Sequence, residues 1–521
     1  MRQSLGRSSV VGAALAYAIL GCGAPVAEGE GPRRGGPDSV VAPEGASVLL
    51  TSSTTGAPDE ASVEQPEAPL PSGPRLFAYD GYETIVQKPE KDAPMIGLVR
   101  AGQSVPIASE APLKGPGVGH CKGGFFAVKP RGFICAGRHS TLDGRDPRVR
   151  AAAEVLPKPD APVPFKVGVM AVSAPQYQRV PTRAEQEKHE PGLVDHLAKV
   201  AAASVPIPKG VTGTFDTKKA GRGPSTAFTT YVDFAKPSLV SKEEAYEGRK
   251  MAFAAELDAE GRTFLVTPDL TLVPKDKVVF VDMPKLQGVE LAKSQLKLPF
   301  GYAWIEDVPK LRQRDNGEMV ETGDVYGRQA FVQIEGPLVR GKKGGNFWKT
   351  ADGTYVRHEL LSIFKPRTDR PPGVGKSDKW IDVRVTWGSL IAYEGDKPVY
   401  ATAISPGVDG ITQRARGHTT VLGTYTVGWK LVSADMSGVE KKKEWAVDDV
   451  PFVNYFKDSY AVHGAWWHND FGRPKSHGCV NVAPNDAHWL WHWMEPGLPE
   501  GWYAVAAFRP EVKGTTIVIR P

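Results

Sequence analysis

The run from Trp380 to Trp387, Trp-Ile-Asp-Val-Arg-Val-Thr-Trp, alternates apolar and polar residues with period two, the mark of a half-buried β-strand. The same pattern recurs over the rest of the chain. Gly395-Asp396 can turn a hairpin into Val399-Tyr400-Ala401, and Tyr425, Val427, Trp429 and Leu431 give another alternating strand. Tyr503 to Phe508 and Thr515 to Arg520 supply two more. All 12 tryptophans lie at or after Trp304, and five of the 11 histidines fall between His463 and His492. A β-rich domain therefore begins near Lys379.

The remainder divides by composition. At 521 residues the chain is too long for one core. Its net charge of +5 is small for that length and gives no case for nucleic acid as a partner. Arg2 and Arg7 precede an apolar run, Val10 to Leu20, that is shorter than the roughly 20 residues a membrane span needs and fits an export signal. The run ends in Ile19-Leu20-Gly21-Cys22, which resembles the bacterial lipoprotein box, so residues 1–21 read as a lipoprotein signal peptide and Cys22 as the lipidated residue. Gly23, not Asp, follows the cysteine, and the expected location is the periplasm, anchored to the outer membrane. Residues 22–74 lack aromatic side chains, are rich in Pro, Gly, Ala and Glu, and read as a disordered tether.

Between 75 and 145 short β-like runs alternate with turns, and Gly123 to Cys135 resembles the end of a bacterial Src-homology-3-like β-barrel, either a wall-polymer binder or a spacer. Residues 150–375 form an auxiliary α+β or mostly β region, with helices expected over Glu185–Ala202 and Lys242–Glu256 and strands at Val278–Val281 and Gln329–Ile334. No chemical motif is legible there. The fold class expected for the whole chain is mainly β and multidomain.

The cysteines number four: Cys22, Cys121, Cys135 and Cys479. With Cys22 lipidated, Cys121 and Cys135 can pair in an oxidising compartment, and Cys479 is left over. A thiol attacks a carbonyl as its thiolate and needs a base within hydrogen-bond reach. Tyr460-Ala461-Val462-His463-Gly464 ends a strand, and Ser476-His477-Gly478-Cys479-Val480-Asn481 follows across a loop, so His463 can supply that base. The glycines expose backbone N–H groups of the kind an oxyanion site requires. Asn485 to Trp491 reads as a helix opened by Pro484 and capped by short polar residues.

His-Gly, a loop, then Ser-His-Gly-Cys-Val-Asn resembles the signature of L,D-transpeptidases with YkuD-type catalytic domains, and the likeness covers roughly 379–510. Thr420-Val421-Leu422-Gly423 stands where that family usually has Thr-Pro-x-Gly. The resemblance implies Cys479 as nucleophile on the third residue of a peptidoglycan tetrapeptide stem, with release of D-Ala. It implies His463 as base, oriented by a backbone carbonyl such as that of Gly464, and an oxyanion site shaped by His477, Gly478 and Cys479. A neighbouring stem amine would then give a 3→3 cross-link; water or a protein lysine are the other acceptors. No metal or other cofactor is implied.

Trp466 and Trp467, lying between base and nucleophile, are candidates to line the substrate groove, together with Ser476, Asn481 and Arg473. His468 reads as a loop histidine, and Trp489, Trp491 and Trp493 as a packed helix. Three alternatives compete. His463, His468, His477 and Cys479 are of the N/S type that binds zinc, though in no familiar zinc spacing. A Cys/His endopeptidase usually has its cysteine before its histidine, the reverse of the order here. A non-catalytic wall-binding lipoprotein predicts loss of the thiol or its base, and both are present.

Overall fold

Four consecutive residues, Trp380 to Val383, are buried in the strand Lys379–Arg384, which is therefore covered on both faces and not one. Its place in the sheet explains this. In the computed structural model it lies between Ser389–Glu394, antiparallel, and Thr516–Arg520, parallel. The full six-stranded order is Val289–Glu290, Lys397–Ala403, Ser389–Glu394, Lys379–Arg384, Thr516–Arg520, Gly423–Thr426. Buried Asp382 is neutralised by Arg520, whose guanidinium donates to both carboxylate oxygens at 2.7 and 2.6 Å. The expected hairpin turns at Gly395, where φ is +58° and a Cβ would lie 1.9 Å from the Lys376 carbonyl oxygen.

The structure describes residues 70–113, 121–137, 139–220, 238–412, 417–440, 443–509 and 512–521. The export signal, Cys22 and the tether as far as residue 69 lie outside them.

The alternation through Tyr425 and Leu431 is two strands, not one. Val427 N–H donates to Thr515 at 3.0 Å, whereas Gly428 N–H donates to Tyr455 at 2.8 Å, so the chain changes sheets between them. Gly423–Thr426 closes the first sheet and Trp429–Glu440 begins the second. There Trp429–Glu440 pairs with Lys443–Lys457, which pairs with Tyr460–Gly464, which runs parallel to Val480–Val482. Ile381, Val383 and Leu390 from the first sheet meet Val432, Val453, Val462 and Val480 from the second in one core.

The second sheet does not stop at the domain. Gly97 and Leu98, in Met95–Arg100, pair with Val505 and Ala504, and Lys250 pairs with Val447. The N-terminal barrel expected from the sequence is accordingly open. Arg75–Ala78, Ser104–Pro106 and Ser140–Thr141 form a three-stranded sheet, while Tyr82–Val86, Met95–Arg100, Phe125–Ala127 and Phe133–Cys135 join the large one. Met95–Arg100 gives its second edge to Ala504–Ala506, and no closed barrel is found among the described residues. Cys121 and Cys135 are joined by a disulfide.

The helix expected over Glu185–Ala202 is broken into Arg183–His189 and Leu193–Ala201 by Glu190-Pro191-Gly192, with Gly192 at φ +78°. No helix forms over Lys242–Glu256. Val240–Ala245 and Lys250–Phe253 are strands turned at Gly248, because pairing with Ala174–Tyr177 and Lys166–Met170 buries Met251 and Phe253 and overrides local propensity. Val278–Val281 is a strand, and Gln329–Ile334 contributes the start of Phe331–Arg340. The latter belongs to a separate seven-stranded sheet spanning Phe300 to Phe364. The auxiliary region is thus mostly β with short helices.

Candidate active site

Two parallel strands carry the proposed base and nucleophile. Val462, His463 and Gly464 stand opposite Val480, Asn481 and Val482, which places Cys479 beside Ala461, one step before the pairing begins. Side chains alternate along a strand, so His463 shares a face with Asn481, and Cys479 lies two residues before Asn481, just outside the paired strand. Cys479 is buried, its Sγ 3.4 Å from the Ala461 amide that donates to it and 3.6 Å from the Ser459 carbonyl oxygen.

His463 is 2% exposed, and its Nδ1 lies 3.1 Å from the Gly464 carbonyl oxygen. A carbonyl only accepts, so Nδ1 carries the proton and Nε2 is the basic nitrogen. Burial pulls the imidazole down to about 4, partly opposed by the Gly464 bond, and the ring is a neutral base at neutral pH. The Trp467 indole stacks on it at 5.9 Å and 26°. Gly464 itself permits close packing: a Cβ there would lie 2.9 Å from the Pro451 ring and 3.0 Å from Ala487 of the following helix.

The turn before the cysteine is held by hydroxyls. Ser476 Oγ donates to the Cys479 carbonyl at 2.5 Å and accepts from Gly478 N–H at 3.0 Å. Thr420 Oγ1 donates to the Gly478 carbonyl at 2.9 Å and accepts from Gly407 N–H at 2.8 Å. Ser476 is thus a buried turn-former and not a groove residue, and the Gly478 N–H is engaged inside the turn. Gly478 has φ +131°, and a Cβ would come within 2.8 Å of the Tyr460 ring.

Other candidates separate. Trp466, 1% exposed, belongs to the core and not to a groove, because adjacent residues at the strand end face opposite ways; only Trp467 reaches the site. Asn481 is buried too. Its backbone pairs with Ser405, and its side-chain amide meets His468 Nε2 at 3.2 Å. His468 Nδ1 accepts from Asp470 N–H at 3.3 Å, Asn481 Nδ2 is the atom that faces Nε2, and Asn481 Oδ1 is buried without a hydrogen-bond partner. With both ring nitrogens committed, His468 is no metal ligand, and burial pulls it down to about 3. Among the described residues no group of three His, Cys, Asp or Glu side chains is placed to hold a metal ion. Arg473 is exposed, its guanidinium 4.8 Å over the Trp304 ring.

Sequence reasoning passes over Trp445 and His418. His477 is stacked on Trp445 at 4.6 Å and meets His418 edge-on at 4.6 Å. Both partners come from distant segments, and no local spacing announces them. The loop between base and nucleophile is tied to the seven-stranded auxiliary sheet: Arg328 donates to the Asn469 carbonyl at 2.6 Å, Gln329 to the Asn469 side chain at 2.7 Å and Ser362 Oγ to the Gly472 carbonyl at 3.3 Å. After the nucleophile strand, Pro484–Trp493 forms the expected helix, but its cap is Ala483 with no side-chain bond. Asp486 turns inward instead and accepts from Tyr400 at 2.6 Å, Thr402 at 2.5 Å and Gly288 N–H at 2.7 Å.

Comparison with known proteins adds the family. No curated protein matches this chain. Among solved structures, an L,D-transpeptidase from Xylanimonas cellulosilytica is similar at 24% identity over 29% of this chain and 65% of that one, with a TM-score of 0.20. An Enterococcus faecium L,D-transpeptidase carrying a cysteine-to-serine substitution is similar at 18% identity over 30% and 55%, with a TM-score of 0.22. One from Mycobacterium smegmatis is similar at 16% identity over 37% and 89%, with a TM-score of 0.22. The chain therefore spans less than two thirds of the first two relatives. The profile of the YkuD family, the L,D-transpeptidase catalytic domain, matches residues 378–519, which contain His463 and Cys479. Residues 378–519 are an L,D-transpeptidase catalytic domain of the YkuD type.

Proposed function

We propose that the protein is a peptidoglycan L,D-transpeptidase that works through an acyl-enzyme on Cys479. The observation that carries this reading is a neutral His463, its Nδ1–H committed to Gly464, on a strand parallel to the one that Cys479 immediately precedes. His463 Nε2 takes the thiol proton while sulfur attacks the carbonyl of the third stem residue. The C–N bond to the terminal D-Ala breaks, and its amine leaves with the proton from His463. A side-chain amine of a neighbouring stem then attacks the thioester, His463 takes its proton, and the returning thiolate is reprotonated. The product is a 3→3 cross-link. Water as acceptor gives a carboxypeptidase and a protein lysine gives wall anchoring, and product analysis separates the three.

Export and lipidation at Cys22 would put this chemistry in the periplasm at the outer membrane, beside its substrate. Incubating the reduced full chain with a disaccharide-tetrapeptide tests the reaction by mass spectrometry. Dimers lacking one D-Ala are expected, and Cys479→Ala should abolish them; a folded, reduced enzyme that makes no product from any acceptor contradicts the reading. Metabolic labelling with a fatty acid tests Cys22, since Cys22→Ala should lose the label.

A further inference from the structure

A cleft of about 220 Å³ opens on the seam between the seven-stranded auxiliary sheet and the catalytic domain. Trp304, His358 and Glu359 line it from the auxiliary side, and Thr386, Trp387 and Arg473 from the catalytic side. Ligand sites favour such seams between domains. Both indoles are half-buried. Trp387 is held from one side by Arg384, which is outside the lining, with its guanidinium 3.2 Å from the ring centroid. His358 meets Trp387 edge-on at 6.3 Å, and its Nδ1 accepts from the Trp348 indole at 2.9 Å, so Nε2 keeps a proton to donate. Arg473, whose guanidinium lies over one face of Trp304 at 4.8 Å, adds donors, and Glu359 adds an acceptor.

The seam is rigid where the cleft meets the catalytic loop. Gly472 has φ +95°, and a Cβ there would lie 2.7 Å from Ser362 Oγ and 2.9 Å from the Trp304 Cβ. Partly exposed aromatic rings bordered by both donors and acceptors suit a ligand with an apolar C–H face and a rim of hydroxyls and amides. That is the chemistry of an N-acetylated sugar ring. Arg473, which lines the cleft, precedes Cys479 by six residues, so the cleft adjoins the segment that leads to the proposed nucleophile.

We propose that this cleft is a subsite for the glycan strand from which the donor stem hangs, with Trp304 and Trp387 as its sugar-facing rings. The proposal rests on the transpeptidase reading for its occupant. Two measurements on the reduced full chain test it. The first is calorimetric binding of stem-free glycan, prepared by amidase digestion of sacculi; wild type should bind, and Trp304→Ala and Trp387→Ala should weaken binding about five- to tenfold, with Trp387→Phe intermediate. The second is the ratio of kcat/KM for a disaccharide-tetrapeptide donor over the free tetrapeptide, which should fall by a similar factor in both alanine variants. Absent glycan binding, or equal losses on the two donors, overturns the proposal. Glycan binding that depends on both tryptophans, in an enzyme inactive on either donor, would leave the subsite standing and sink the transpeptidase reading.

Discussion

The imidazole of His477 lies flat on the indole of Trp445, centroids 4.6 Å apart and planes within 4°. A residue two positions before the proposed nucleophile is thereby held by the hairpin of Trp429–Glu440 and Lys443–Lys457. Such a stack is worth about 1 kcal/mol beyond its burial. Trp445→Ala should keep the fold and lower kcat/KM about fivefold or more, as steady-state kinetics beside a circular dichroism spectrum would reveal.

The depressed titration of His463 has two separate consequences. As a base it stays unprotonated down to about pH 4, so transfer between pH 7 and 5 should show no acid limb near the ordinary histidine value of about 6.5. For stability, the unfolded chain takes up the proton first as pH falls, so this histidine's contribution is complete above about 6.5 and is lost toward 4. Buried carboxylates raised by desolvation, such as Asp486 at about 6, act in the other sense, so the comparison must be differential. The stability of wild type minus that of His463→Asn should shrink by about 1.4 kcal/mol per pH unit over that window in urea titrations. A pH-independent difference would reject the assignment.

Gly478 offers a backbone test. Its φ of +131° and the 2.8 Å approach of a virtual Cβ to Tyr460 leave no relaxed place for alanine. Gly478→Ala should cost about 1–3 kcal/mol and remove turnover, seen as a lowered Tm together with loss of cross-linked product.

The ties from the auxiliary sheet to the catalytic loop predict action at a distance. Arg328→Ala removes the donor that holds the Asn469 carbonyl, a bond to a charged group worth about 1.5–3 kcal/mol. Hydrogen exchange should accelerate across residues 465–475 and kcat should fall, although Arg328 lies outside the catalytic domain, in the turn between two auxiliary strands. Unchanged exchange there would show that the tie is incidental.

The YkuD-type domain is legible in the sequence because its signature, from His463 to Asn481, sits in one short stretch whose residue types admit few readings. The strand Lys379–Arg384, the Gly395 turn and the Pro484–Trp493 helix are legible for a similar reason: each is specified by its own neighbours in sequence. The failures share the opposite cause. Nothing local tells Trp466 from Trp467, since a single step along the chain exchanges core for site. Lys242 to Glu256 has helix-favouring composition but is claimed by strand partners some 70 residues earlier, at Ala174–Tyr177. The open N-terminal module depends on an edge contributed by Ala504–Ala506, at the far end of the chain. Residue type alone assigns Ser476 and Asn481 to the groove, whereas their hydrogen bonds run inward.

The shared sheet also bears on how this protein can be handled and how it could have been assembled. A fragment cut to residues 378–519 would bare the Ala504–Ala506 strand that Met95–Arg100 covers and the Val447 edge that Lys250 meets. Unpaired edges of that kind recruit other chains. The catalytic domain is thus not a detachable cartridge: its neighbours serve it as built-in edge guards, and an insertion or deletion that shifted either of them would be felt first as aggregation and only afterwards as lost catalysis.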